Sequence, residues 1–348
     1  MRVISQFIAL ALFASVLSAQ SGGTLTQLVN NTLITNGMVT CNTGGTAGAP
    51  QYHVQNSFWR AYRPSDSGVV QPITVTCITY AVEYALAGAA ANPPLTQPLE
   101  IRLRVAANTA PTTFPAAIPA ITHTEIFNQP NVAPNAAQRI FTRGINALTP
   151  IVLNPNDLLV VELYLPDGVA GQNVLFPGKN GLGETAQGYL SAPGCGMTAP
   201  TPFAGIGFPN VHLLLDVNYN FVGATPAPIV SATSVPNIAN PGMSDLTLVN
   251  TSLTPGHEIW NIWSWQPCPG GVGTGSFLGL CFGSISDVMP QLMTPVGIPP
   301  FHFIADNCSM TFGPFLVPSG IPIEIVTVDY NSMTLSLNGW SPAINVML

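Results

Sequence analysis

Proline and glycine decide what this chain can become. Its 348 residues include 34 prolines and 32 glycines, while helix-forming Glu, Lys and Arg are scarce. Proline removes a backbone donor and glycine carries the largest backbone entropy, so long helices are disfavoured. Disorder is opposed by a hydrophobic content of 47%, enough to bury a core. The remaining reading is a β-rich chain with many turns.

The strand signals are local and regular. At residues 99–105, Leu99, Ile101, Leu103 and Val105 alternate with Glu100, Arg102 and Arg104, a period of two with one face inward. Similar runs fall at 57–63, 73–84, 121–127, 139–143, 158–165, 173–176, 188–192 and 211–221, and 24–40 reads as one leading strand. Turn signals such as Asn92-Pro93-Pro94, Asn154-Pro155-Asn156 and Pro166-Asp167-Gly168 separate them. The expected fold is all-β: an antiparallel β-sandwich, jelly-roll-like, over 20–222. Residues 223–243 read as a Pro-rich linker. A smaller, mainly-β domain is expected over 244–348, with strands at 246–249, 258–265, 300–304, 323–329 and 333–337. The helix expected there covers 284–293, limited by Pro290.

The first nineteen residues read as a secretory signal peptide, with one charge at Arg2, an apolar run over 7–17 and a small residue, Ala19, before Gln20. That predicts an extracellular or cell-surface location. No later segment offers about 20 consecutive apolar residues, so no membrane span is expected. Charged residues are only 7%, the net charge is −7, and the single lysine is Lys179. Without a basic run, nucleic acid is excluded as a partner. A charge-poor surface suits neutral ligands, notably glycans, or self-association.

Six cysteines behind an export signal predict disulfides. They permit 15 pairings, and spacing alone does not choose. The pairs expected are Cys41–Cys195, clamping the first domain, and Cys268–Cys281, closing a Gly-rich loop. Cys77, within an alternating strand, reads as a buried free thiol, and Cys308 is left over. No Cys/His spacing of a zinc site occurs, and no metal or cofactor is expected.

Residues 56–63, Asn-Ser-Phe-Trp-Arg-Ala-Tyr-Arg, and 178–218, with Gly-Glu-Thr-Ala-Gln-Gly-Tyr-Leu-Ser-Ala-Pro-Gly-Cys-Gly and Ile-Gly-Phe-Pro-Asn-Val-His, resemble an uncharacterised β-sandwich module of secreted bacterial proteins. The stretch Cys-Pro-Gly-Gly-Val-Gly-Thr-Gly-Ser-Phe-Leu-Gly-Leu-Cys is similar to an uncharacterised C-terminal domain of such proteins. The resemblance implies a sandwich, secretion and both disulfides. It implies no catalytic residue.

No serine lies in a Gly-x-Ser-x-Gly elbow, and His257-Glu258 does not continue into a zinc-protease helix. His53, His123, His212, His257 and His302 read as surface or satisfied core residues. Glu83, Glu100, Glu125 and Glu162 fall on strands and read as solvated outward side chains. Asp66 and the Asp306-Asn307 pair read as turn residues, and the Gly270–Gly275 run as a loop lacking the lysine of a phosphate cradle. Sequons stand at Asn30, Asn250 and Asn307.

Trp260, Trp263 and Trp265 are the binding candidates. On a strand, Trp263 and Trp265 share one face and Trp260 takes the other. Exposed, the pair would form a flat platform for a sugar ring; core packing is the plainer reading. The expectation is a secreted, non-enzymatic binding or surface-assembly protein contacting neutral polysaccharide or extracellular matrix. The alternatives are a secreted polysaccharide-acting hydrolase and a structural subunit of an external layer or fibre.

Overall fold

The computed structural model describes residues 22–34, 37–43, 51–88, 95–107, 114–133, 136, 139–147, 149–224, 227–332 and 335–348. The leader and the 92–94 turn lie outside the described residues. The fold is all-β, with antiparallel pairing throughout its named strands. The chain divides into two compact units, Gly23–Val222 and Gly223–Leu348.

In the first unit, one six-stranded sheet runs in the order Met197–Pro202, Tyr189–Ala192, Asn56–Tyr62, Leu158–Leu165, Thr96–Ala106 and His123–Pro130. A second is centred on the 14-residue strand Ile73–Leu86, flanked by Leu215–Phe221 on one side and by Ile140–Gly144 and Val152–Leu153. Leu99, Ile101, Leu103, Leu163 and Phe58 of the first sheet share a single core with Ile73, Val75, Ile78, Leu215 and Val217 of the second. Two sheets closed on one core make a sandwich. The alternation at 99–105 has its physical cause here: the apolar members enter that core, and Glu100, Arg102 and Arg104 stand on the outer face. The leading segment forms two short strands, Gly22–Leu25 and Leu33–Ile34, rather than one over 24–40.

The second unit has a three-stranded sheet of Ile229–Pro236, Met243–Thr251 and Ser309–Pro318. Its larger sheet orders His302–Ile304, Glu258–Ser264, Pro322–Asn331 and Ser336–Trp340, with Ile344–Met347 also paired to Pro322–Asn331. Pro322–Asn331 is buried at eight consecutive positions, because its sheet is covered on both faces. Helix Ile285–Leu292 and the Gly-rich loop cover one face through Val288, Leu292, Leu278 and Leu280. The small sheet covers the other through Val230, Leu246 and Leu248. The helix begins where the Asp287 carboxylate accepts the Ser284 N–H at 2.9 Å.

Two expectations are corrected here. Residues 229–236 are not linker: they form a strand paired residue for residue with Met243–Thr251, from Ile229↔Thr251 to Pro236↔Ser244. Of the prolines that mimic a connector, Pro228 immediately precedes this strand and Pro236 ends it, where an edge strand tolerates a missing donor. Cys77 is not a free thiol: all six cysteines are disulfide-bonded. Cys41 pairs with Cys195 and Cys268 with Cys281. Such oxidation is the state of a chain in an oxidising environment. Among the described residues, no helix is long and apolar enough to cross a membrane.

Candidate functional site

The three tryptophans do not form an exposed platform. Trp260 and Trp263 are 4% and 6% exposed, whereas Trp265 is 53% exposed. The cause is the doubly covered sheet. Trp263 enters the core with Ile323, Ile325 and Leu246. Trp260 enters the opposite core and stacks on His302, ring centroids 3.8 Å apart. Trp265 follows the end of the strand and leans on Trp263 at 6.5 Å. What reaches solvent is one indole braced from below.

Beside it runs the loop closed by Cys268–Cys281. Gly275 donates its N–H to the Gly279 carbonyl, and a Cβ at Gly275 would lie 2.0 Å from the Leu280 backbone. Only glycine permits that approach. Beneath the loop, the buried Glu324 carboxylate accepts the Cys268 N–H at 3.2 Å. The loop is thus anchored on a disulfide, a tight hairpin and a buried acid.

The outer face of the first unit's sheet that contains Asn56–Tyr62, Leu158–Leu165 and Thr96–Ala106 gathers residues that lie dispersed in the sequence. Glu162 is 2% exposed, not solvated. It accepts from the Ser57 hydroxyl at 2.7 Å and from Arg104 at 2.6 Å. Arg102 pairs with Glu100 at 2.7 Å and lies 3.4 Å over the Tyr164 ring. Arg104 lies 5.3 Å from the Trp59 ring, and the Trp59 N–H donates to Ser191. Cross-strand neighbours on one face explain the gathering: Trp59 is opposite Glu162, which is opposite Arg102. These rings already have guanidinium partners, so the face reads as a self-satisfied lattice. Glu83 is also buried rather than solvated, accepting the Met38 N–H.

An open cleft of about 620 Å³ sits where Val105, Thr122 and His123 meet Asn146, Thr149 and Val152. Its lining holds neither an aromatic ring other than His123 nor a carboxylate, though Glu125 bonds His123 at 2.9 Å.

Two histidines of the second unit meet acids. His302 contacts the Thr294 carbonyl at 2.6 Å and Glu258 at 3.1 Å. The His257 Nδ1 lies 2.7 Å from the buried Asp329, as in a hydrolytic triad, but Nε2 faces the Asn331 amide at 3.2 Å. An amide there supplies no nucleophile. His53 is buried, its Nε2 bonded to the Pro166 carbonyl at 3.1 Å, and burial lowers its pKa. Burial raises the pKa of Asp216, opposed by Thr26, Arg60 and Asn31. Among the described residues, no group of three or more His, Cys, Asp or Glu side chains is placed to hold a metal. Asn250, the acceptor residue of one sequon, is fully buried.

No family model matches the chain, and no curated protein matches it. Among solved structures, the chain is similar to a Bifidobacterium dentium beta-glucuronidase complexed with coumarin-3-O-glucuronide, at 8% identity and a TM-score of 0.24. The match covers 85% of this chain but only 40% of that one. So loose a likeness carries no argument about either fold or activity.

Proposed function

We propose that this is an exported protein that works by contact, binding neutral polysaccharide through the second unit. The observation that carries the reading is Trp265: a half-exposed indole, braced by a buried Trp263, beside a loop stapled by Cys268–Cys281. A rigid indole offers an apolar face to a sugar ring and an N–H at its edge, at little entropic cost. The export signal, the full complement of disulfides and the low charge of the chain support the same reading.

Retention on insoluble polysaccharides, read across cellulose, chitin and xylan, tests it. Wild type is expected to be retained on at least one of them, with Trp265→Ala lowering retention about tenfold. Far-UV circular dichroism of the variant should be unchanged, since the side chain is largely outside the core. No retention of wild type on any of them, or equal retention of both proteins, overturns the proposal.

A further inference from the structure

At one end of the second unit, three polar atoms from three separate chain segments converge. The His257 Nδ1 is 2.7 Å from the Asp329 Oδ1. The Asn338 amide nitrogen is 2.7 Å from that same His257 Nδ1 and 3.2 Å from the Asp329 oxygen. These contacts cannot all be hydrogen bonds to an ionised Asp329. With the proton on Nδ1, it meets the Asn338 amide donor. With the proton on Nε2, the bare Nδ1 faces a carboxylate oxygen. With the Asn338 amide turned over, its oxygen faces that of Asp329. Each arrangement leaves one like-to-like contact, which a cation among the three lone pairs would remove.

A second observation points the same way. Asp329 is fully buried, and its Oδ2 has no hydrogen-bond partner. A buried carboxylate with a bare oxygen is costly unless a positive charge compensates it. Asp329 stands on a strand paired on both sides, opposite Ile259 and Gly339, so its backbone is held in the sheet interior.

We infer that His257, Asp329 and Asn338 form a facial site for a first-row divalent cation, with zinc the best-suited probe. Ligands about 2.1 Å from one metal stand about 3.0 Å apart at octahedral and about 3.4 Å apart at tetrahedral angles. The separations of 2.7, 2.7 and 3.2 Å, with the Asn338 amide turned so that its oxygen takes the place of its nitrogen, need only to open by a few tenths of an ångström. Imidazole nitrogen selects zinc and its neighbours over calcium or magnesium, while the carboxylate and amide oxygens complete the face. Coordination through Nδ1 puts the ring proton on Nε2. There the Asn331 amide, 3.2 Å away, turns its oxygen to accept it, fixing the ring as an outer partner commonly does. His257 lies in a turn and keeps 13% of its side chain in solvent, which gives the ion an entry path.

Isothermal titration of zinc chloride into chelator-treated full-length protein, paired with thermal melting, tests the site. Wild type is expected to bind one equivalent and to melt at a higher temperature with zinc, with magnesium giving no shift. Asn338→Ala should weaken zinc binding at least tenfold, and His257→Gln should abolish it. His302→Gln, which alters the other acid-paired histidine, should bind as wild type does. Near-UV circular dichroism checks that each variant is folded; Asn338→Ala, at a half-buried position, is the variant least able to disturb the core. The absence of zinc binding by wild type, or undiminished binding by folded Asn338→Ala, overturns the inference. Sugar binding through Trp265 is a separate property, and neither result bears on the other.

Discussion

The side-chain amide of Gln291 pairs with the backbone of Trp263 as a neighbouring strand would. Its oxygen accepts the Trp263 N–H at 2.8 Å, and its nitrogen donates to the Trp263 carbonyl at 2.8 Å. His302–Ile304 pairs only with residues 258–260 of the tryptophan strand, so the edge beyond would be open. The helix therefore caps a sheet edge with a side chain. The same two bonds hold the strand that ends in front of Trp265.

Gln291→Ala removes both bonds and should destabilise the second unit by about 1–3 kcal/mol, the scale of two ordinary hydrogen bonds. Gln291→Glu keeps the acceptor but sets a carboxylate oxygen against the Trp263 carbonyl in place of the donor, and should be no more stable than the alanine variant. Urea unfolding followed by tryptophan fluorescence measures both. Equal stability of all three proteins would show that the clasp contributes nothing.

Asn261 is the hub of a buried polar network. Its amide exchanges bonds with Asn250 at 2.9 and 3.0 Å, accepts from the Thr327 hydroxyl at 2.5 Å and donates to the Pro300 carbonyl at 2.7 Å. Asn261→Ala strands several buried groups at once and should cost about 3 kcal/mol or more. Thr327→Val removes one hydroxyl at nearly constant shape and should cost about 1–2 kcal/mol. The comparison of the two in chemical denaturation checks that the network acts as a unit.

Arg60 lies fully buried in the first unit. It donates to the Leu213 and Ala186 carbonyls, both at 2.8 Å, and to Glu184 at 2.6 Å. Arg60→Met leaves Glu184 without this partner and should destabilise by about 3–5 kcal/mol. Adding Glu184→Gln should recover part of the loss. A double variant no more stable than Arg60→Met would show that the guanidinium serves the carbonyls rather than the acid.

His53 predicts a pH dependence. Its imidazole packs so closely on Gly168 that a Cβ there would lie 2.5 Å from the ring. Burial, the dominant cause, holds its pKa below the ordinary 6.5, against weaker opposing effects of Pro166, Asn173 and Asp167. The unfolded chain binds a proton near pH 6.5, and the folded chain does so only at lower pH. The stability contributed by neutral His53 is therefore full above pH 6.5 and is lost as the pH falls from there through the folded value. Melting temperatures should fall more steeply between pH 7 and pH 5 in wild type than in His53→Gln. Parallel pH profiles would assign the loss to other groups.

Two kinds of strand were legible in the sequence. The run at 99–105 alternates because its two faces have different fates, and residues 158–165 form a nearly continuous apolar run because both faces are buried. The missed strand Ser309–Pro318 contains Gly313-Pro314, a pair whose local preference is against a strand. In the structure those residues form an irregularity, with Leu246 and Leu248 pairing Phe315 and Phe312 across it. A bulge on an edge strand accommodates what a central strand would reject. For the site, the aromatic signal at 260–265 was visible, but which ring reaches solvent was not. The convergence of His257, Asp329 and Asn338 was illegible too, because these residues are separated by 72 and 81 positions from His257.

Composition and periodicity by themselves determined an all-β chain: proline and glycine leave helices little length, and alternating apolar residues require sheets with an inner face. Tertiary structure alone decided burial. Trp263 is core because Ile323, Ile325 and Leu246 close over it. Glu162 is sequestered because Ser57 and Arg104 stand on neighbouring strands. Periodicity acts through neighbours along the chain, whereas solvent is excluded by segments far away in sequence.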